Sequence, residues 1–420
     1  MKTLIKSVSL HGKTVDILIE GNIFKKISEE SIPEENIDKI IDGTGKAIEP
    51  AFYNTHSHLP MTIFQGINDD KEMMDWLKED IWPREAKLTP EDIYIATKFG
   101  ILEMIKGGVV FCNDMYRNPE VIMKAIDEMG IRGVVSNPEI DKMHPELLEQ
   151  KKKSVLDFIE LENINENRIM KAIACHSIYT LSDDFLQFYS DLAKKYNMYI
   201  HIMASETKKE VEDCIKANGC TPIEKLEKFG LLTDKTILVY CVHLTDNDIN
   251  LIKKYNCKIS HCPISNFKLK SGLMPYQKLH NEGIMITLGT DSSASNNSLG
   301  MLEQMKFSAL NAKTQANSSE AGNVHDIYET ATENGAKAFN INAGLIEEGK
   351  LADFLLYKMK HYLLLPHFNF VSNIVYCAEN ECITDVFCDG VQLMCDRKVK
   401  DEDKIIQDFK ELAEKYRGID

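Results

Sequence analysis

Asn54-Thr55-His56-Ser57-His58 closes the apolar lead-in Ala47-Ile48-Glu49-Pro50-Ala51-Phe52-Tyr53. Two histidines spaced i, i+2 at a strand end point to the same face, because strand side chains alternate with period two. Imidazoles so placed either reach one divalent ion or simply close a strand as polar groups, and the pair alone leaves both readings open. The polar residues at the ends of later apolar stretches bear on the choice. They are His176, His201 and Glu206, Tyr240 and His243, His261, and Asp291 in Gly289-Thr290-Asp291-Ser292. Histidines and an aspartate around a metal, with a nearby glutamate as general acid/base, form an arrangement that activates water.

Such residues need strands to carry them. Short apolar stretches recur near 109–111, 133–135, 170–174, 199–202, 236–239, 258–260 and 285–288. Helical stretches lie between them, for example 90–106, 184–196 and 221–229. Strand–helix alternation repeated about eight times points to a parallel α/β architecture, and a (β/α)8 TIM-like barrel over 51–349 fits the count. An open doubly wound sheet is the alternative, but no glycine-rich phosphate loop follows the early strands. Short strands and Asp-Gly or Gly-Asn turns mark residues 1–50. The same texture returns after 350, including Ala352–Tyr357, Ile374–Tyr376 and Val386–Val391, before a charged helix over 402–416. The segments 1–50 and 350–420 are therefore expected to pair as a composite β-sandwich.

The 420 residues are 44% hydrophobic and 27% charged, with a formal charge of −16. That acidity argues against nucleic-acid or anionic-membrane partners. No apolar run is long enough to span a bilayer, the N-terminus lacks a signal-peptide core, and eleven scattered cysteines suit reduced thiols. A cytoplasmic protein is expected.

Further motifs narrow the reading: Trp76-Leu77 with Trp82-Pro83-Arg84-Glu85, His176-Ser177-Ile178-Tyr179-Thr180, Ser205-Glu206-Thr207, Cys241-Val242-His243-Leu244, Ser260-His261-Cys262-Pro263, and the Gly344–Asp353 turn. With the His56/His58 and Asp291 stretches, they resemble the amidohydrolase superfamily, in the branch of adenosylhomocysteine/methylthioadenosine deaminases, guanine deaminases and triazine hydrolases (chlorohydrolases). The resemblance covers nearly the whole chain, with the motifs in family order. It implies a metal-bearing barrel that deaminates a purine- or triazine-like heterocycle by metal-activated water. The implied cofactor is one divalent ion, zinc first, with iron and manganese as alternatives. The partner is a small heterocycle, and a homo-oligomer is a family-level expectation.

The match breaks at two positions. The family's His-x-His-Leu-x-Glu-Thr becomes His201-Ile202-Met203-Ala204-Ser205-Glu206-Thr207, so Met203 stands where a metal-ligating His is usual. Its Ala-His-Cys becomes Val239-Tyr240-Cys241, so Tyr240 replaces a water-orienting His. A thioether is a soft donor, and a phenol near pKa 10 shuttles protons poorly at neutral pH. His201 shares a face with position 203 but lies roughly 6.6 Å deeper at about 3.3 Å per residue, so it reaches a metal only if the strand bulges. His56, His58 and Asp291 remain as ligands, joined by Met203 or His201 as a candidate fourth. Glu206 and Asp291 remain as the catalytic pair, with Trp76, Trp82, Glu85, His176, Tyr240 and His261 around the substrate. The alternative is a degenerate amidohydrolase-fold binder of small molecules with a weakened or empty metal site.

Overall fold

The computed structural model describes residues 1–142 and 144–417. Eight strands pair in parallel and in chain order: Phe52–Ser57, Val109–Met115, Arg132–Ser136, Ile169–Ser177, Tyr199–Ala204, Thr236–Tyr240, Lys258–His261 and Ile286–Leu288. The last returns to the first. Thr290 and Asp291 donate their backbone N–H to His56 O at 3.1 and 3.0 Å. Asn54 Nδ2 donates to Thr290 Oγ1 at 2.7 Å, and Thr55 Oγ1 donates to Leu288 O at 2.9 Å. The sheet is thus a barrel, with helices between consecutive strands as right-handed parallel connections require.

Local sequence explains several helix starts. Thr89 and Asp92 form a capping box before Pro90–Lys106, as do Thr221 and Glu224 before Pro222–Lys228. Asp92 also receives Lys415 Nζ at 2.7 Å and Tyr416 Oη at 2.8 Å. With the Phe99–Phe409 ring stack at 3.8 Å, it docks the terminal helix Glu402–Tyr416 on the barrel's outer layer.

The chain ends build a nine-stranded sheet, antiparallel in most of its pairings. N-terminal strands cover Lys2–Leu10 to Lys46–Pro50, and C-terminal strands run from Phe354–Lys358 to Lys398–Val399. They join where Phe354–Lys358 runs antiparallel to Lys46–Pro50, with Leu356 opposite Ile48. The sheet wraps a core of Ile5, Ile17, Phe24, Ile48, Phe354 and Phe387. Buried Arg132 pins it to the barrel, with Nε 2.8 Å from Asp353 Oδ2 and Nη2 2.6 Å from Asp389 Oδ1.

One expected strand is a helix. Ile374-Val375-Tyr376 end the helix Phe370–Tyr376, whose start Asn369 caps by accepting from Ser372 N–H. Ile374 and Val375 are buried on the face packed against helices Met301–Ala316 and Val324–Ala331. Tertiary burial overrides the β-preference of branched residues in so short a segment. Among the described residues no helix is long and apolar enough to cross a membrane.

Candidate active site

The strand ends place three ligand atoms together. His58 donates its Nδ1–H to Met115 O at 2.7 Å, which turns its Nε2 toward Asp291. His56 Nδ1 lies 2.8 Å from His201 Nε2. When His56 donates that Nδ1 proton to His201, its own Nε2 is bare. The two Nε2 atoms lie 3.5 Å (His56) and 3.4 Å (His58) from Asp291 Oδ1. His56 Nε2 is buried with no hydrogen-bond partner among the described residues. Deprotonated, the two nitrogens and the carboxylate oxygen turn their lone pairs on one point, where a cation would sit. The three residues form a group that could hold a metal ion, with ligand atoms within 4.8 Å of one another. Two imidazoles and a carboxylate match the three protein ligands that catalytic metal sites keep.

Asp291 sits in the left-handed region (φ +62°), which turns its side chain back over the barrel mouth. Its Oδ2 accepts from Ser265 Oγ at 2.6 Å, Ser295 Oγ at 2.9 Å and Tyr240 Oη at 3.0 Å, leaving Oδ1 for the imidazoles. Burial alone would raise its pKa, but His56 and His58 outweigh that and hold it well below the usual carboxylate range. His56 is pushed down mainly by burial. His58 is raised, because Asp291 overcomes the same burial effect.

Glu206 follows the strand Tyr199–Ala204 and takes Ser271 Oγ on Oε1 at 2.8 Å. Burial and the nearby Asp291 charge push its carboxyl up to about 8, so it carries its proton at neutral pH. A cavity of about 450 Å³ opens over these groups. Its walls include His58, Trp76, Trp82, Glu85, His176, Met203, Glu206, Tyr240 and Asp291. That size suits a small heterocyclic ligand. His176, lowered to about 4 by burial and by His58 and His56, is a neutral imidazole on the wall.

Two sequence expectations are corrected. His261 does not line the cavity; it is fully buried, with Nδ1 3.3 Å from Ser308 Oγ. Its contacts are with the helix layer, Ser308 of Met301–Ala316 and the ring of Tyr276, 6.4 Å between centroids. His201 is likewise outside the converging trio, because it stands behind His56 and bonds its far nitrogen. The strand keeps His201 deep, and position 203, which lines the cavity, holds a thioether 3.5 Å from Tyr240 Oη. His243 is taken up by Ser271 O at 2.7 Å. Residues that sequence reasoning passed over include Ser265, Ser271, Ser295 and Met115. A serine run directly after Asp291 was the one available signal.

The Amidohydrolase family model matches residues 47–393. The chain belongs to the amidohydrolase family. Among related amidohydrolases, 5'-deoxyadenosine deaminase of Methanocaldococcus jannaschii is 43% identical over 419 residues, covering 99% of this chain and 100% of that protein. 5-Methylthioadenosine/S-adenosylhomocysteine deaminase 1 of Archaeoglobus fulgidus is 38% identical over 408 residues, covering 96% of each. The crystal structure of an adenosine deaminase from Xanthomonas campestris with bound zinc superposes with a TM-score of 0.89 at 26% identity, covering 100% of this chain and 98% of that one. Atrazine chlorohydrolase from Arthrobacter aurescens, at 19% identity and TM-score 0.89 over 98% of this chain and 100% of that one, shares the fold.

Proposed function

We propose that this amidohydrolase hydrolyses the exocyclic C–N bond of an aminopurine nucleoside, of the class that its 5'-deoxyadenosine deaminase relatives are named for, releasing ammonia. The observation that carries the reading is Glu206, a buried carboxyl protonated at neutral pH, in the same chamber as the His56–His58–Asp291 group. A divalent ion there, zinc by analogy with the similar adenosine deaminase, supplies an acidified water and charge stabilisation when bound.

The chain's own groups then divide the work. His201 and Met115 O fix the Nδ1 sides of His56 and His58, and Asp291 presents one ionised oxygen. Glu206 gives its proton to a ring nitrogen as water adds to the amino-bearing carbon; of the water's two protons, one restores the Glu206 carboxyl and the other goes to the amine, which leaves as ammonia. Asp291, low in pKa, stays ionised throughout. Tyr240, whose phenol is pushed well above its ordinary value by burial and by Asp291, serves as a hydrogen-bond donor and moves no proton. His176 offers neutral imidazole to the heterocycle, Trp76 and Trp82 wall it, and Glu85 accepts from substrate hydroxyls near the mouth. The overall change is heterocycle–NH2 plus water giving the oxo-heterocycle plus ammonia. The similarity to named deaminases favours turnover over the degenerate-binder alternative.

The test is ammonia release from a panel of 6-aminopurine nucleosides, aminopyrimidines and triazines by zinc-, iron- and manganese-loaded protein. Turnover confined to aminopurine nucleosides is expected. Tight binding across the panel with no ammonia would overturn the proposal.

A further inference from the structure

The strand end that carries Glu206 has an unusual helix start. Ser205 turns the chain in the left-handed region (φ +53°). Thr207 then caps helix Lys208–Asn218 by accepting from Glu210 N–H. In a capping box the acid three residues past the cap returns to the cap's own N–H. Asp92, Glu224 and Asp248 do this at three other helices of the chain. Glu210 occupies the same position, where the Thr207 N–H also acts on it, but its two hydrogen bonds reach further back along the chain. Its Oε1 takes the N–H of Ser205 at 3.1 Å, and its Oε2 takes the N–H of Glu206 at 2.7 Å.

That choice is costly. Glu210 is 8% exposed, with no cation among its hydrogen-bond partners in the described residues. Burial raises its carboxyl to about 7, whereas Asp92 is lowered to about 2 and Glu224 is also lowered. The two amides Glu210 holds belong to the turn that carries Glu206. From the opposite side, Ser205 O accepts from Val242 and His243 N–H, each at 3.0 Å. Ser271 then fixes the Glu206 carboxyl itself at 2.8 Å.

We propose that Glu210 is a positioning residue: by holding the Ser205 and Glu206 amides with its two oxygens, it sets the place of the Glu206 carboxyl for proton transfer. The inference rests on the proposed role of Glu206. A misplaced proton donor costs the chemical step far more than it costs binding.

The experiment compares metal-loaded Glu210→Gln with Glu224→Gln, a matched box acid away from the cavity. Glutamine keeps the shape but offers one acceptor oxygen, so one of the two amides loses its partner. Glu210→Gln is expected to lower kcat about 10- to 100-fold, with KM within about twofold and metal content unchanged. Glu224→Gln is expected to keep parental kcat. Added to Glu206→Gln, Glu210→Gln is expected to lower kcat no further. Glu210→Asp, which withdraws both oxygens by one methylene, repeats the test if the glutamine variant does not fold. If kcat and metal content fall while KM rises, Glu210 is merely structural and the proposal is overturned. Parental kcat in Glu210→Gln beside an inactive Glu206→Gln overturns this inference alone. An active Glu206→Gln overturns the role of Glu206 itself.

Discussion

Replacing Glu206 by glutamine should make the metal-free protein more stable while removing its turnover. The folded carboxyl sits at about 8 against an ordinary 4.5. Below pH 4.5 the acid is protonated in both states and costs nothing. Above it the unfolded chain gains a solvated charge while the folded protein keeps its proton, so stability is lost progressively until the pH passes about 8. At about 1.4 kcal/mol per pH unit, the cost is about 1 kcal/mol at pH 5, about 3 at pH 7, and 4–5 at the plateau. A neutral isosteric amide escapes that cost, and Ser271 remains able to bond it. The assay is urea denaturation of chelator-treated parent and Glu206→Gln at several pH values. The stability gap should widen from near zero at pH 4.5 to about 3 kcal/mol at pH 7. A gap of the same size at every pH would show that Glu206 is not held protonated by burial, and the acid assignment would fall with it.

Met203→His should raise metal affinity by at least about tenfold, since it adds a nitrogen donor where a thioether lines the cavity; metal retained after dialysis against a graded chelator checks this. Tyr240→Phe removes one of three hydroxyls on Asp291 Oδ2, and should weaken metal binding about 10- to 100-fold, read by competition with a chromophoric chelator. Arg132→Met leaves buried Asp353 without its cation and should cost about 3–5 kcal/mol, measured by denaturant unfolding.

The barrel was legible because each buried strand is a short apolar run followed by a polar end, and eight such units recur at barrel spacing. The His56–His58 pair and Asp291 were legible because alternation fixes which way strand-end side chains face. His261 was not: it turns onto the helix layer, where Ser308 arrives from 47 residues away. A four-residue strand with polar groups on both sides gives no apolar contrast to set its phase. Ile374–Tyr376 failed differently: the residues favour strand locally, and helix forms because distant helices bury one side. The hydroxyls on Asp291 were illegible, because Tyr240 and Ser265 arrive from 51 and 26 residues away. Glu210 carried the sequence signature of an ordinary capping box, and nothing in that signature foretold its bonds to the Ser205 and Glu206 amides.

The most direct test is the rate of ammonia release from 5'-deoxyadenosine by chelator-stripped protein titrated with zinc, beside Asp291→Ala. The account predicts a rate that rises with zinc, saturates near about one ion per chain, and is absent in the variant. A rate indifferent to metal, or equal in the two proteins, would contradict it.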